Sequence, residues 1–143
     1  QSLKQTNVYD FVIIDLPSVW DDSASTVLHY CDEVLWLLLD EVHCRHKTVF
    51  LMQQLYRTDE VFYNDLLKKI RFLLNKALDS GMRNDYRKHG LRIQEQLPYV
   101  PKWKTSERFE ELLIETTFYS RLLQVIGDRT LEKGGGAGGS TAV

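Results

Sequence analysis

An apolar run that stops at an aspartate and a proline constrains the fold of this chain more than any other feature. In residues 9–20, YDFVIIDLPSVW, β-branched and aromatic residues follow one another with little alternation, and Asp15 then precedes Leu16 and Pro17. A strand covered on both faces reads this way, because helices on both sides of a parallel sheet leave no solvent face to alternate toward. The run predicts a buried parallel strand over residues 9–15, with Asp15 delivered to the carboxyl edge of the sheet. Ligands of open α/β sheets bind at that edge, where a carboxylate can hold a magnesium ion beside a nucleotide phosphate. The same residues also fit a strand that simply ends at a turn.

The rest of the chain continues the strand and helix alternation. Asp21, Asp22 and Ser23 offer N-caps for a short helix to about Tyr30, and residues 33–39 read as a second buried strand, followed by Asp40. A helix is expected over residues 45–56, with Val49, Met52 and Leu55 or Tyr56 on one face. Residues 58–65 suit a helical turn or a loop, 69–75 a third strand, 77–88 a loop or a short helix, and 91–97 a fourth strand stopped by Pro98 and Pro101. Over residues 106–126 Phe109, Leu112, Leu113, Thr116, Tyr119, Leu122, Leu123 and Ile126 recur at helical steps, and Gly127 is placed to end that helix. The expected organisation is an α/β domain over residues 1–126, a mostly parallel sheet flanked by helices, and a flexible glycine-rich tail over 127–143.

Composition narrows the function classes. With 18 Lys and Arg against 20 Asp and Glu, neither sign gathered into a long block, the chain shows no electrostatic grip on nucleic acid or anionic lipid. The longest apolar stretch, residues 34–39, is too short to span a bilayer, so direct membrane insertion is not expected and a cytoplasmic location is. Cys31 and Cys44 are the only cysteines and read as reduced thiols. No GxxxxGK[ST] phosphate loop occurs, and the chain begins at Gln1 with its first strand expected almost at once, so an N-terminal portion is expected to be missing.

Three separated segments, in order, carry a resemblance. FVIIDLPSVW, then CDEVLWLLLDEVHCRHKTVFLMQQL, then FLLNKAL followed by EQLPYVPK resemble the C-terminal half of MinD/ParA-type P-loop ATPases, and most closely the CpaE/TadZ branch that works in assembly and positioning of tight-adherence (Flp) pili. The resemblance implies a partial P-loop NTPase fold that uses ATP and Mg2+. Asp15 would be the catalytic and metal-side carboxylate, Asn75 would contact adenine, and Pro98 and Pro101 would lie near the base or ribose. It also implies an ATP-dependent homodimer with pilus or secretion machinery components as partners, recruited by them to the inner membrane or cell pole. A side-chain amide both donates and accepts hydrogen bonds, which suits a base edge; Asn75 also suits a strand end that caps its own turn.

Two departures bear on activity. Many relatives carry a glycine shortly after the Asp-x-Pro, where this chain has Ser18, Val19 and Trp20, and the phosphate loop with its lysine is missing. This chain alone is therefore expected to bind ATP weakly and not to hydrolyse it. Alternatives are a non-catalytic scaffold of the same fold and a division or partition ATPase, the last marked by a membrane helix or a DNA-binding basic patch that the sequence does not display.

Other constellations have plainer readings. His43, Cys44 and His46, with His29 and Cys31 upstream, fit no closed four-ligand zinc spacing and open a helix. Asp21 and Asp22 read as helix caps, and Ser18 and Ser23 lack a GxSxG setting. Trp36 reads as core and Trp20 as surface, while the acidic face Glu107, Glu110, Glu111 and Glu115 argues that the last helix packs on the sheet rather than on lipid.

Overall fold

The computed structural model describes residues 11–17, 19–77, 81–112 and 116–134, and the chain divides into two compact units, Gln1–Asp32 and Glu33–Val143. In the first unit, helix α1 (Asp22–Tyr30) starts where the sequence says it should. Asp21 is its N-cap and accepts from the Ala24 amide at 2.8 Å, satisfying one of the donors that every helix start leaves open.

The second unit holds three parallel strands in the order β1 (Val34–Leu39), β2 (Ile70–Ala77) and β3 (Ile93–Pro98). Helix α2 (Val42–Thr58) and helix α3 (Glu60–Lys69) connect β1 to β2, and helix α4 (Gly81–Lys88) leads to β3. The ladder pairs Val34 with Ile70 and runs to Leu39 with Asn75. It continues from Phe72 opposite Ile93 to Ala77 opposite Pro98, with register irregularities between Phe72 and Leu73 and between Leu74 and Ala77. Alternation then sorts the side chains. Leu35, Leu73 and Leu97 cluster with Phe118, Leu122 and Val125 of helix α6 (Thr116–Gly134). Leu38 and Leu74 alternate to the opposite face and have no exposed surface, and there the Trp36 and Phe72 rings meet at 6.2 Å.

Residues 58–65, open between turn and loop in the sequence, resolve into the start of α3. Asp59 caps it by accepting from the Phe62 amide at 2.8 Å, and Phe62 and Leu66, four apart, are buried. The turn after α4 uses Gly90 at φ +80, with the Gly90 and Leu91 amides donating back to Arg87 and Tyr86. Glycine tolerates that left-handed conformation and so closes the helix.

Two expectations are corrected. Residues 9 and 10 of the expected first strand lie outside the described residues, and 11–17 form no strand. Phe11, Val12, Ile13 and Ile14 are exposed, Ile13 by 89%. Apolar composition supplies strand propensity, but a strand exists only when a neighbour takes its backbone groups, and the described ladder joins β1, β2 and β3 alone.

The long helix expected over 106–126 is also divided. A 3-10 turn covers Pro101–Lys104, helix α5 covers Phe109–Leu112, residues 113–115 lie outside the described set, and α6 follows. Gly127 sits inside α6, since it lacks the positive φ that would let it end the helix, and α6 takes the start of the expected tail as far as Gly134. The buried stripe of α6 is Phe118, Leu122 and Val125, while Leu123 is exposed. Both stripes fit a helical period, and the sheet surface selects between them.

Among the described residues no helix is long and apolar enough to cross a membrane.

Candidate ligand-binding edge

All three strands are parallel, so their carboxyl ends share one edge, the position at which open α/β sheets receive ligands. Asn75 sits two residues before the end of β2 and faces Leu39, the last residue of β1. Pro98 ends β3 opposite Ala77, and Pro101 opens the 3-10 turn just beyond. The Tyr99 amide donates to the Ala77 carbonyl at 3.4 Å, carrying the contact past the strands into their loops. The sequence-predicted residues Asn75, Pro98 and Pro101 therefore converge on one edge.

Asp15 is exposed and belongs to the separate unit Gln1–Asp32, within the unpaired run of residues 11–17. Nothing places it at a strand end.

The Asn75 carboxamide engages its own turn. Oδ1 accepts from the Lys76 amide at 2.9 Å, which leaves the Nδ2 hydrogens for another acceptor. Lys76 has φ 54, and it is the one non-glycine residue with positive φ among the described residues. A Cβ in that conformation crowds the following carbonyl, and the Asn75 cap offsets part of the cost.

Beyond β3, Lys104 Nζ lies 5.6 Å from the centre of the Tyr99 ring. Trp103 packs edge-on against Phe118 at 4.7 Å and tilted against Tyr119 at 6.2 Å, anchoring the loop to α6.

The end of β1 on the same edge is occupied by the protein itself. Tyr86, with no exposed surface, donates its hydroxyl to the Leu39 carbonyl at 3.0 Å, while the Leu39 amide donates to Cys44 Sγ at 3.4 Å. Arg45 pairs with Asp85 at 2.8 Å, and Asp85 also accepts from Lys88 at 3.0 Å. Burial raises the Tyr86 hydroxyl well above its ordinary value of 10.0, and the neighbouring Cys44 adds to it. Asp85 is held below its ordinary 3.8, first by the hydrogen bond from Lys88 and also by Arg45.

Metal binding finds no set of donors here. His43 pairs with Glu41 at 3.0 Å, Cys44 accepts from Leu39, and no group of three or more His, Cys, Asp or Glu among the described residues could hold an ion. Both cysteines are free thiols.

Sequence reasoning missed Lys76, Tyr99, Lys104 and the Tyr86 lock. The basic segment PKWK directly after Pro98 was the available signal for Lys104; nothing in the sequence marked Lys76 as left-handed. The chain matches no family model, no curated protein and no solved structure.

Proposed function

We propose that Glu33–Val143 is a nucleotide-recognition unit that receives a purine base at the carboxyl ends of β2 and β3, serving a positioning or assembly factor akin to the CpaE/TadZ branch of MinD/ParA ATPases. The observation that carries the reading is the pairing of Ala77 with Pro98, which brings Asn75, Pro98 and Pro101 to one parallel edge. With Oδ1 committed to Lys76, the free Nδ2 donor suits a ring-nitrogen acceptor of adenine.

The donor set fits the base end of ATP and does not fit the magnesium-triphosphate end. No GxxxxGK[ST] loop occurs in the chain, and Asp15 is one exposed carboxylate with no metal-ligand cluster among the described residues. No hydrolytic step is derived for these residues. The homodimer and the pilus or secretion partners belong to the same reading through the sequence resemblance, which also implies a Mg2+ role for Asp15; the described residues supply no further ligand for that role.

Titration of adenosine, guanosine and uridine into the isotope-labelled chain, followed by amide chemical shifts, tests the base site. Adenosine should shift the Asn75–Ala77 and Tyr99–Trp103 signals with weak affinity. Equal response to all three nucleosides, or none from adenosine, would overturn the reading.

A further inference from the structure

We propose that the outer edge of β1 joins a second copy of this chain by taking that copy's residues 11–14 as an added strand, so that two copies exchange runs and close as a dimer. The contact uses neither nucleotide nor the carboxyl edge.

The two outer strands of the sheet are built differently. At β3 the Gln96 amide donates to the Glu95 carboxylate at 2.8 Å and the Gln96 carbonyl accepts from Arg121 of α6 at 2.8 Å, so side chains take both backbone groups. Pro98 has no amide hydrogen to give, and the register with β2 slips twice. A charged residue, a proline and a broken register are the devices that keep a sheet edge from pairing with another chain. β1 has none of them. Val34–Leu39 is uncharged and free of proline, it keeps a regular register with β2 over its whole length, and Leu37 is 55% exposed. No strand lies beyond it among the described residues. A regular, apolar edge of this kind is a template for a further strand.

The chain carries the matching element. Phe11, Val12, Ile13 and Ile14 are exposed, uncharged, and aromatic or β-branched, and they join no ladder in their own copy. As a strand, the run would turn Phe11 and Ile13 to one face and Val12 and Ile14 to the other, so both faces would be apolar, as they are in β1. From these exposures, two reciprocal junctions bury on the order of 1,200 Å2, which reaches the size of a specific interface. One junction alone falls short of it, and reciprocal exchange also closes the assembly at two copies.

The test is sedimentation velocity of the full chain over a range of concentrations, without nucleotide, for the wild type, Ile13→Pro, Leu37→Lys and an equimolar mixture of the two variants. Both side chains are largely exposed, so each variant should melt with the wild type. Wild type should pass from monomer to dimer as concentration rises, and each variant alone should need about tenfold more protein for the same dimer fraction. Ile13→Pro keeps an edge that can receive a strand, and Leu37→Lys keeps a run that can be donated. Their mixture should therefore associate at lower concentration than either variant alone, an outcome that misfolding of a variant cannot produce. A wild type that stays monomeric, variants that dimerise as the wild type does, or a mixture no better than its parts would overturn the proposal. So would loss of the dimer in Leu37→Lys alone, which would set β1 against β1. A dimer that forms only with Mg2+ and ATP would overturn it too, since that is the association the sequence resemblance implies.

Discussion

The amino and carboxyl edges of the sheet use charge for different ends. At the amino edge Arg71, only 8% exposed, pairs with Glu33 and donates to the Val125 carbonyl of α6, so one guanidinium ties the start of β1 and the last long helix to β2. At the carboxyl edge, by the ends of β2 and β3, Lys76 and Lys104 have no carboxylate partner among the described residues and Asn75 satisfies one of its own neighbours. Polar groups that are buried and mutually satisfied hold a fold together; polar groups left facing solvent at a strand end are available to a ligand. The end of β1 shows that the division is not a property of the edge alone, since Tyr86 closes it from within.

The largest expected effect is at the amino edge. Arg71→Ala leaves the Glu33 carboxylate half-buried without its cation and removes the polar tie between β2 and α6, whose apolar contact with Leu73 remains. Breaking a buried pair by removing one partner costs about 3 kcal/mol or more. Chemical denaturation should show that loss. A loss no greater than that of an exposed surface pair would place Arg71 with the lysines of the opposite edge and dissolve the contrast.

Tyr86→Phe comes next and probes the closed part of the carboxyl edge. It deletes one buried hydroxyl and its bond to Leu39, a loss of about 1 kcal/mol near neutral pH. The pH dependence has a definite sign. The folded-state hydroxyl titrates above its unfolded value of 10.0, so the neutral form favours the fold at every pH below that value. As pH rises past it, the unfolded chain releases the proton first and stability falls. Wild type should therefore lose stability in alkaline melts more steeply than Tyr86→Phe, and parallel curves would show that Tyr86 ionises as freely in the fold as outside it.

Much of this contrast was hidden in the sequence for a physical reason. Local signals were legible: the Asp21 cap, the apolar run of β1, and the proline stop after β3 all act over a few residues. The β2 and β3 residues of the candidate edge were legible too, because strand ends in a parallel sheet collect on one side whatever the exact register. What escaped depends on distant partners. The apolar run of residues 11–14 has the composition of a strand without a paired neighbour. Gly127 has the residue type of a helix stop without the conformation, and Phe118 rather than Tyr119 joins the core because the surface presented by Leu73 and Leu97 selects it. Nothing local in KIRFLL marks Arg71; its role comes from α6, whose Val125 carbonyl accepts from its guanidinium.

Lys76→Gly should raise stability modestly, by about 0.5 kcal/mol, because relief of the left-handed strain exceeds the extra chain entropy of glycine in the unfolded state. Thermal melts measure it. A destabilised variant would mean that the lysine stem makes packing contacts that outweigh its strain.

The smallest expected effect is also the sharpest test of how the open part of the carboxyl edge is built. Asn75→Ala removes the acceptor that Oδ1 offers to the Lys76 amide, an exposed bond whose loss should cost a few tenths of a kcal/mol to about 1 kcal/mol. The cap has a purpose only while Lys76 is strained, so the two positions should be coupled. In the Lys76→Gly background the turn closes without help, and Asn75→Ala should then cost distinctly less than in the wild type. Denaturation of wild type, both single variants and the double variant completes the cycle. Additive losses would mean that Asn75 and Lys76 act independently, and that the side-chain amide does not hold the lysine in its left-handed turn.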